Sequence, residues 1–124
     1  MKTVPLLPHD HGTGTLELLP EMPNMTIFVK VSDIFQLISD PSRLKILWLL
    51  CHSEDCVTNI GAALEMSTPA VSHHLRLLKQ AGLLVSRRLG KEVHYTLDDT
   101  KEARLVHEIV DLTFEMNCKD RKET

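Results

Sequence analysis

The 124 residues suffice for one domain and a tail, not for two independent cores. An apolar share of 43% with 25% charged residues excludes a disordered or fibrous chain, and no run of about 18 uncharged apolar residues is present to span a membrane. The net charge of −3 speaks against a nucleic-acid binder until it is located: residues 67–91 carry Arg76, Lys79, Arg87, Arg88 and Lys91 with no Asp or Glu, and the remainder balances to −8.

Residues 1–25 hold Pro5, Pro8, Pro20 and Pro23 without a clear period, and read as a mobile N-terminal extension with a short helical turn near 16–19. The start of the chain lacks the apolar run of about 7–15 residues that a secretion signal needs, so the expected location is the cytoplasm. In that reducing compartment Cys51, Cys56 and Cys118 are expected as thiols. From Thr26 the pattern changes. Ile27, Phe28, Val31, Ile34, Phe35 and Ile38 fall at three- and four-residue steps, which predicts a helix with one buried stripe. Asp40 caps and Pro41 opens a second helix over 41–51, followed by a polar loop at 52–55.

Thr58 is the expected cap of a short third helix over 59–65. Ser67 or Thr68 caps a fourth, with Pro69 in its first turn and Gly82 as its left-handed stop. Two β-prone runs, 84–88 and 92–97, flank Leu89-Gly90-Lys91 and read as a hairpin. Asp99, with Glu102 three residues on, resembles a capping box opening a last helix to about Asn117. Its stripe is Leu105, Ile109, Leu112 and Met116, with Val106 and Val110 beside it. The fold class is therefore mainly α with a β-hairpin wing, in the order α-α-α-α-β-β-α. A tight helix pair followed by a two-stranded wing is the winged helix-turn-helix arrangement. Aromatics make up only 4% of the chain, so the core must be aliphatic, and a chain this small often supplements its core with a subunit interface.

The fourth helix has the composition a major-groove reader needs at its N-terminal turns. Ser67, Thr68 and Ser72 offer hydroxyls to base edges or phosphates, Ala70 a methyl for thymine, and His73 a donor for guanine. Arg76 and Lys79 follow one and two turns later, suited to phosphate oxygens. Arg87, Arg88 and Lys91 place three cations on the hairpin, where they can track the backbone or enter the minor groove. A solvated amphipathic helix would account for the helix alone. It would not account for the tight turn, the hairpin and the lack of acids in the same segment. No catalytic residue is expected: the chain has no phosphate-cradling Gly loop, no His-Glu-x-x-His and no Gly-x-Ser-x-Gly, and the neighbours Cys51 and His52 point different ways on a helix.

The run from Ile38 to Leu47, the run from Ser67 to Leu84 with its Val-Ser-x-His-Leu core, and the wing from Arg87 to Leu97 together resemble the ArsR/SmtB family of small repressors, over about residues 27–117. The resemblance implies a homodimer joined through residues 27–38 and 105–116. It implies binding to double-stranded DNA at an imperfect palindromic operator, with Thr68, Ser72 and His73 facing the bases, and no membrane role. It also implies release of DNA when a metal ion or an oxidant reaches a sensor site.

Neither of the family's two well-known metal sites is matched. Cys56-Val57-Thr58 lacks a second thiolate, and Asp99-Thr100-Lys101 has Lys where a His is expected, although His107, Asp111 and Glu115 follow at four-residue steps. The ligand candidates are Cys51, His52, Cys56 and Cys118, then His9, His11 and His107. Thiolates and imidazoles select zinc, cadmium, copper(I) or arsenic(III), so a zinc-like ion is the expected effector and is not required for DNA binding. Against this, His9 and His11 suit a solvated tail, Cys51 a small buried hydrophobe, His73 and His74 DNA contact and packing, and His94 a packed or solvated strand position. The alternative is a thiol-based redox or reactive-sulfur repressor pairing Cys51 or Cys56 with Cys118. Glu54 and Asp55 would raise the Cys56 thiol pKa and disfavour it. A remoter alternative is a protein-interaction adaptor, to which an acid-free segment gives no benefit. The expected domain of DNA binding and dimerisation runs over 26–118, with a tail at 119–124.

Overall fold

The computed structural model describes residues 6–12 and 14–115. The chain divides into two compact units, Met1–Asp33 and Ile34–Thr124. The first contains a one-turn helix α1 (Thr15–Leu18) and a 3-10 turn over Leu19–Glu21 with Pro20 in its opening position. A longer helix, α2 (Met25–Ile38), runs across the division. It starts a residue earlier than the periodicity suggests, because the Asn24 side-chain oxygen accepts the Ile27 N–H at 3.1 Å. Its apolar stripe is not buried as expected. Ile27, Phe28, Val31 and Phe35 are 41–48% exposed, while Ile38 is buried in the core and Ile34 packs half-buried against it.

The second unit carries α3 (Pro41–Leu50), β1 (Asp55–Cys56), α4 (Val57–Leu64), α5 (Thr68–Gln80), β2 (Leu84–Leu89), β3 (Glu92–Leu97) and α6 (Lys101–Thr113). Asp40 caps α3 as its sequence position suggests, accepting the Arg43 N–H at 2.9 Å. Among the described residues the strands form one antiparallel sheet in the order β1-β3-β2, and Gly90 at the hairpin tip takes φ +65°. The edge strand β1 replaces part of the expected loop, pairing Asp55 with Tyr95 and Cys56 with His94. Two residues are too few to show a period-two pattern in a sequence.

Three helix ends also differ from expectation. Cys56 occupies the position before α4 that Thr58 was expected to fill, and Asp55 Oδ1 holds the entry by accepting the Cys56 N–H and the Asn59 amide. Thr100 caps α6 in place of Asp99, accepting the Ala103 N–H at 3.0 Å while its hydroxyl donates to the Gly82 carbonyl at 2.6 Å. Asp99 instead pairs with Arg104 at 2.9 Å. The last helix ends at Thr113, with Phe114 at its cap and Glu115 left-handed at φ 55°; Met116, Asn117 and Cys118 lie outside the described residues.

The core is aliphatic. Leu47 and Leu50 of α3, Ile60 of α4, Leu75 and Leu78 of α5, and Val106 and Val110 of α6 are all within 1% of complete burial. Each such side chain contributes about 1.5–3 kcal/mol relative to exposure. The inner face of α6 is thus Ala103, Val106 and Val110, while Leu105 (42% exposed) and Leu112 (80%) point away from it. Among the described residues, no helix is long and apolar enough to cross a membrane.

Candidate nucleic-acid interface

The helix pair α4–α5 is held at a fixed approach by its turn. Glu65 closes α4 in the left-handed region at φ 56°, and the Met66 N–H donates to the Gly61 carbonyl at 2.9 Å. A Cβ on Gly61 would lie 2.8 Å from the Met66 carbonyl oxygen, a backbone atom that cannot step aside, so glycine is what permits the closeness. Ser67 then caps α5, its hydroxyl oxygen accepting the Ala70 N–H at 3.3 Å. Pro69 sits in the first turn, where its missing N–H costs nothing.

From that start the two faces of α5 separate cleanly. Val71, Leu75 and Leu78 point into the core, and Ser72, His73, Arg76 and Lys79 point out. Thr68 is exposed ahead of them and Ala70 half-buried. Arg76 donates to His73 Nδ1 across 3.1 Å, since a guanidinium has no acceptor. Lys79 donates to the Ser86 hydroxyl at 2.6 Å and so ties the helix to β2. Gly82, at φ +79°, makes the turn between them as its position suggested.

His74 takes the inward side. Among the described residues its buried Nδ1 finds no hydrogen-bond partner. Burial is the main reason its pKa falls below the ordinary 6.5, with Asp40 pulling upward and Arg43 and His73 downward.

The wing adds a long-range ion pair to the charge pattern. Arg87 grips Glu54 in a two-pronged ion pair, with Nε 2.8 and 2.9 Å from the two carboxylate oxygens and Nη2 on Oε1. The pairing holds the Glu54 carboxyl below the usual range and raises the guanidinium further. The segment without acids in the sequence thus receives one in space. Arg88 donates to the Gly90 carbonyl at 3.3 Å and remains exposed, as does Lys91.

A second cluster lies at the end of α3 and along α6. His52, just past α3, is 7% exposed at its side chain, and its Nε2 sits 3.0 Å from Asp111 Oδ1. His107 Nε2 lies 3.3 Å from Asp111 Oδ2, one helical turn away on the same face of α6. The two imidazoles meet edge to face with centroids 5.5 Å apart. Their three ligand atoms fall within 4.8 Å of one another, the one such group of three His, Cys, Asp or Glu among the described residues. The structure thus brings His52 and His107 together and adds Asp111, whose four-residue step from His107 was the available signal.

The group of three does not include the other described ligand candidates. Cys56 is a buried thiol at the entry to α4, and Cys51 is half-buried against the core. His9 and His11 lie in the first unit with rings 5.7 Å apart, and His94 approaches Glu92 at 3.3 Å.

Comparison with known proteins agrees with this geometry. The family model for bacterial regulatory proteins of the arsR family matches residues 40–86. A transcriptional repressor SmtB homolog of Synechocystis sp. is 35% identical over 101 residues, covering 82% of this chain and 76% of that protein. A cadmium resistance transcriptional regulatory protein CadC homolog of Staphylococcus aureus is 43% identical over 77 residues, 61% of this chain and 64% of that one. Among solved structures, the homodimeric winged helix-turn-helix DNA-binding domain of Mb0332 from Mycobacterium bovis aligns with a TM-score of 0.64 at 29% identity, covering 73% of this chain and 83% of that chain. The expected winged helix-turn-helix architecture is borne out.

Proposed function

The chain belongs to the ArsR family of bacterial regulatory proteins, and we propose that it is a cytoplasmic, sequence-specific repressor that binds an imperfect palindromic operator as a homodimer and releases it on binding a metal ion. It is a transcriptional regulator and not an enzyme. The observation that carries the DNA reading is the outward face of α5, where Ser72, His73, Arg76 and Lys79 stand exposed on a helix whose opposite side is wholly core. Thr68, Ser72 and His73 read base edges, with Ala70 beside them. Ser67 acts through its cap, and Arg76, Lys79, Arg88 and Lys91 engage phosphates.

Dimerisation through residues 27–38 and 105–116 is supported by the apolar side chains that one chain leaves uncovered. Ile27, Phe28, Val31 and Phe35 on α2 and Leu105 and Leu112 on α6 are exposed well beyond what an isolated soluble helix face needs. Metal response is supported by a relative named for cadmium resistance and by the imidazole–carboxylate cluster at His52.

The test is fluorescence anisotropy of the purified protein on palindromic duplexes selected from a random pool. Tight binding to one palindrome, two chains per duplex, with release on adding Zn(II) or Cd(II), is the expected outcome. Equal binding to every duplex, or none, would contradict it.

A further inference from the structure

We propose that His52, His107 and Asp111 form the effector site, a three-ligand centre for a borderline divalent cation of the zinc type that uses no thiolate. The assignment rests on the metal-responsive reading above and names its ligands.

Three observations carry it. The first is spacing. Nitrogen and oxygen ligands at about 2.0–2.2 Å from a tetrahedral zinc lie about 3.3–3.5 Å from each other. The imidazole nitrogens lie 3.0 and 3.3 Å from the two separate oxygens of Asp111, and one ligand atom from each residue falls within 4.8 Å of the others, so the three side chains stand near the separations a bound cation would impose. The second is orientation. His52 Nδ1 lies 3.3 Å from the Trp48 carbonyl oxygen, which can only accept. The Asp111 carboxylate on the other side of the ring, 3.0 Å from Nε2, also only accepts. A cation taking the place of the proton between Nε2 and Asp111 would leave Nδ1–H on the Trp48 carbonyl, the arrangement that outer hydrogen bonds give ligating histidines. The third is the setting. His52 is more than nine-tenths buried, while His107 (32% exposed) keeps one side of the cluster open to solvent. Three protein ligands with an accessible fourth position accommodate water or one further donor.

The ligand set decides the class of ion. Two imidazoles and a carboxylate favour Zn(II), with Co(II) and Ni(II) as relatives, and disfavour the thiol-seeking As(III) and Cu(I).

The site also sits where an ion can act on the DNA surface. Its ligands come from two elements, the end of α3 and the middle of α6, so a bound cation locks them together. The residues on either side of His52 hold the wing: the Ser53 and Leu50 carbonyls accept from the Thr96 hydroxyl of β3 at 2.8 and 3.2 Å, and Glu54 grips Arg87 of β2. Leu105 and Leu112 face outward from the helix that supplies the other two ligands.

The test is a Co(II) titration of the full-length protein followed by visible and near-ultraviolet absorption, with Zn(II) competition and operator release measured in parallel. The expected result is one Co(II) per chain with d–d bands of a low-coordinate site and no thiolate-to-metal charge transfer. His107→Ala and the near-isosteric Asp111→Asn should each weaken Zn(II) by at least about 100-fold, the upper end of what losing a mere supporting partner costs. Both should still bind operator without metal, and Cys51→Ser and Cys56→Ser should titrate as wild type. Unchanged affinity in correctly folded Asp111→Asn and His107→Ala would overturn the assignment, as would charge-transfer bands that vanish in a cysteine variant. In those cases metal still releases DNA and the broader reading stands. If no ion among Zn(II), Co(II), Cd(II), As(III) and Cu(I) binds the wild type or releases its DNA, the metal response itself falls, and the site with it.

Discussion

Arg87 in the wing closes a two-pronged ion pair on Glu54, 33 residues earlier in the chain. One of the three wing cations is thus already engaged by a carboxylate. Such a pair on a surface contributes little to stability, so its consequence is for charge at the DNA-facing side.

Replacing Glu54 by Gln removes the competing anion and leaves the guanidinium for phosphate. Duplex affinity should rise, and the plot of log K against log salt should steepen by about 0.9 for each further phosphate neutralised. Anisotropy titrations between low and moderate salt read both quantities. An unchanged slope would show that Arg87 does not approach DNA even when released.

The exposed pair Ser72 and His73 has a different signature. Ser72→Ala or His73→Ala should alter base preference at one or two operator positions by about 1–3 kcal/mol while leaving the salt slope in place. A panel of single-base operator variants measures it. Equal weakening on every duplex would assign these residues to the DNA backbone.

Much of this surface is legible in the sequence because its signals are local. The cap at Ser67, the 3.6-residue alternation of Val71, Leu75 and Leu78 with Ser72, Arg76 and Lys79, and the left-handed Gly82 lie within sixteen residues of one another and agree. What stays hidden is pairing at long range. Glu54 meets Arg87 and His52 meets Asp111 only because the sheet and the α3–α6 packing bring them together, and no spacing rule spans 33 or 59 residues. The helix starts at Cys56 and Thr100 are missed for a related reason. Thr58 and Asp99 are good capping residues by type, but Asp55 already holds the start of α4 through the Cys56 N–H, and Asp99 is drawn to Arg104. The stripe of α6 divides for a geometric reason: Val106 and Val110 fill the inner face, so Leu105 and Leu112 must point outward.

His74 gives the fold a pH dependence of known sign. Burial holds its imidazole pKa below the ordinary value in the folded protein, whereas the unfolded chain takes up a proton at about the ordinary 6.5. The unfolded state therefore binds more protons below that pH, and stability should fall as pH drops from about 6.5 toward the lower folded value. Urea unfolding of wild type and His74→Asn between pH 5 and 7.5 tests it. The variant should lose part of the slope, and parallel curves would contradict the assignment.

The uncovered leucine on α6 tests the dimer. Leu112 is 80% exposed in the single chain, so Leu112→Glu should leave the fold and its circular dichroism intact while producing monomers in sedimentation velocity. Operator affinity should fall with the loss of the second half-site. A dimer of wild-type strength would place the interface elsewhere.

The claim that α5 and the wing form a DNA-reading surface is tested most directly by the salt dependence of operator binding, in wild type and in Arg88→Ala with Lys91→Ala. The wild type should lose affinity linearly in log salt, and the double variant should do so with a slope smaller by about 0.9 for each phosphate left unneutralised, while keeping the same preferred palindrome. Binding that is indifferent to salt, or a double variant indistinguishable from wild type, would contradict it.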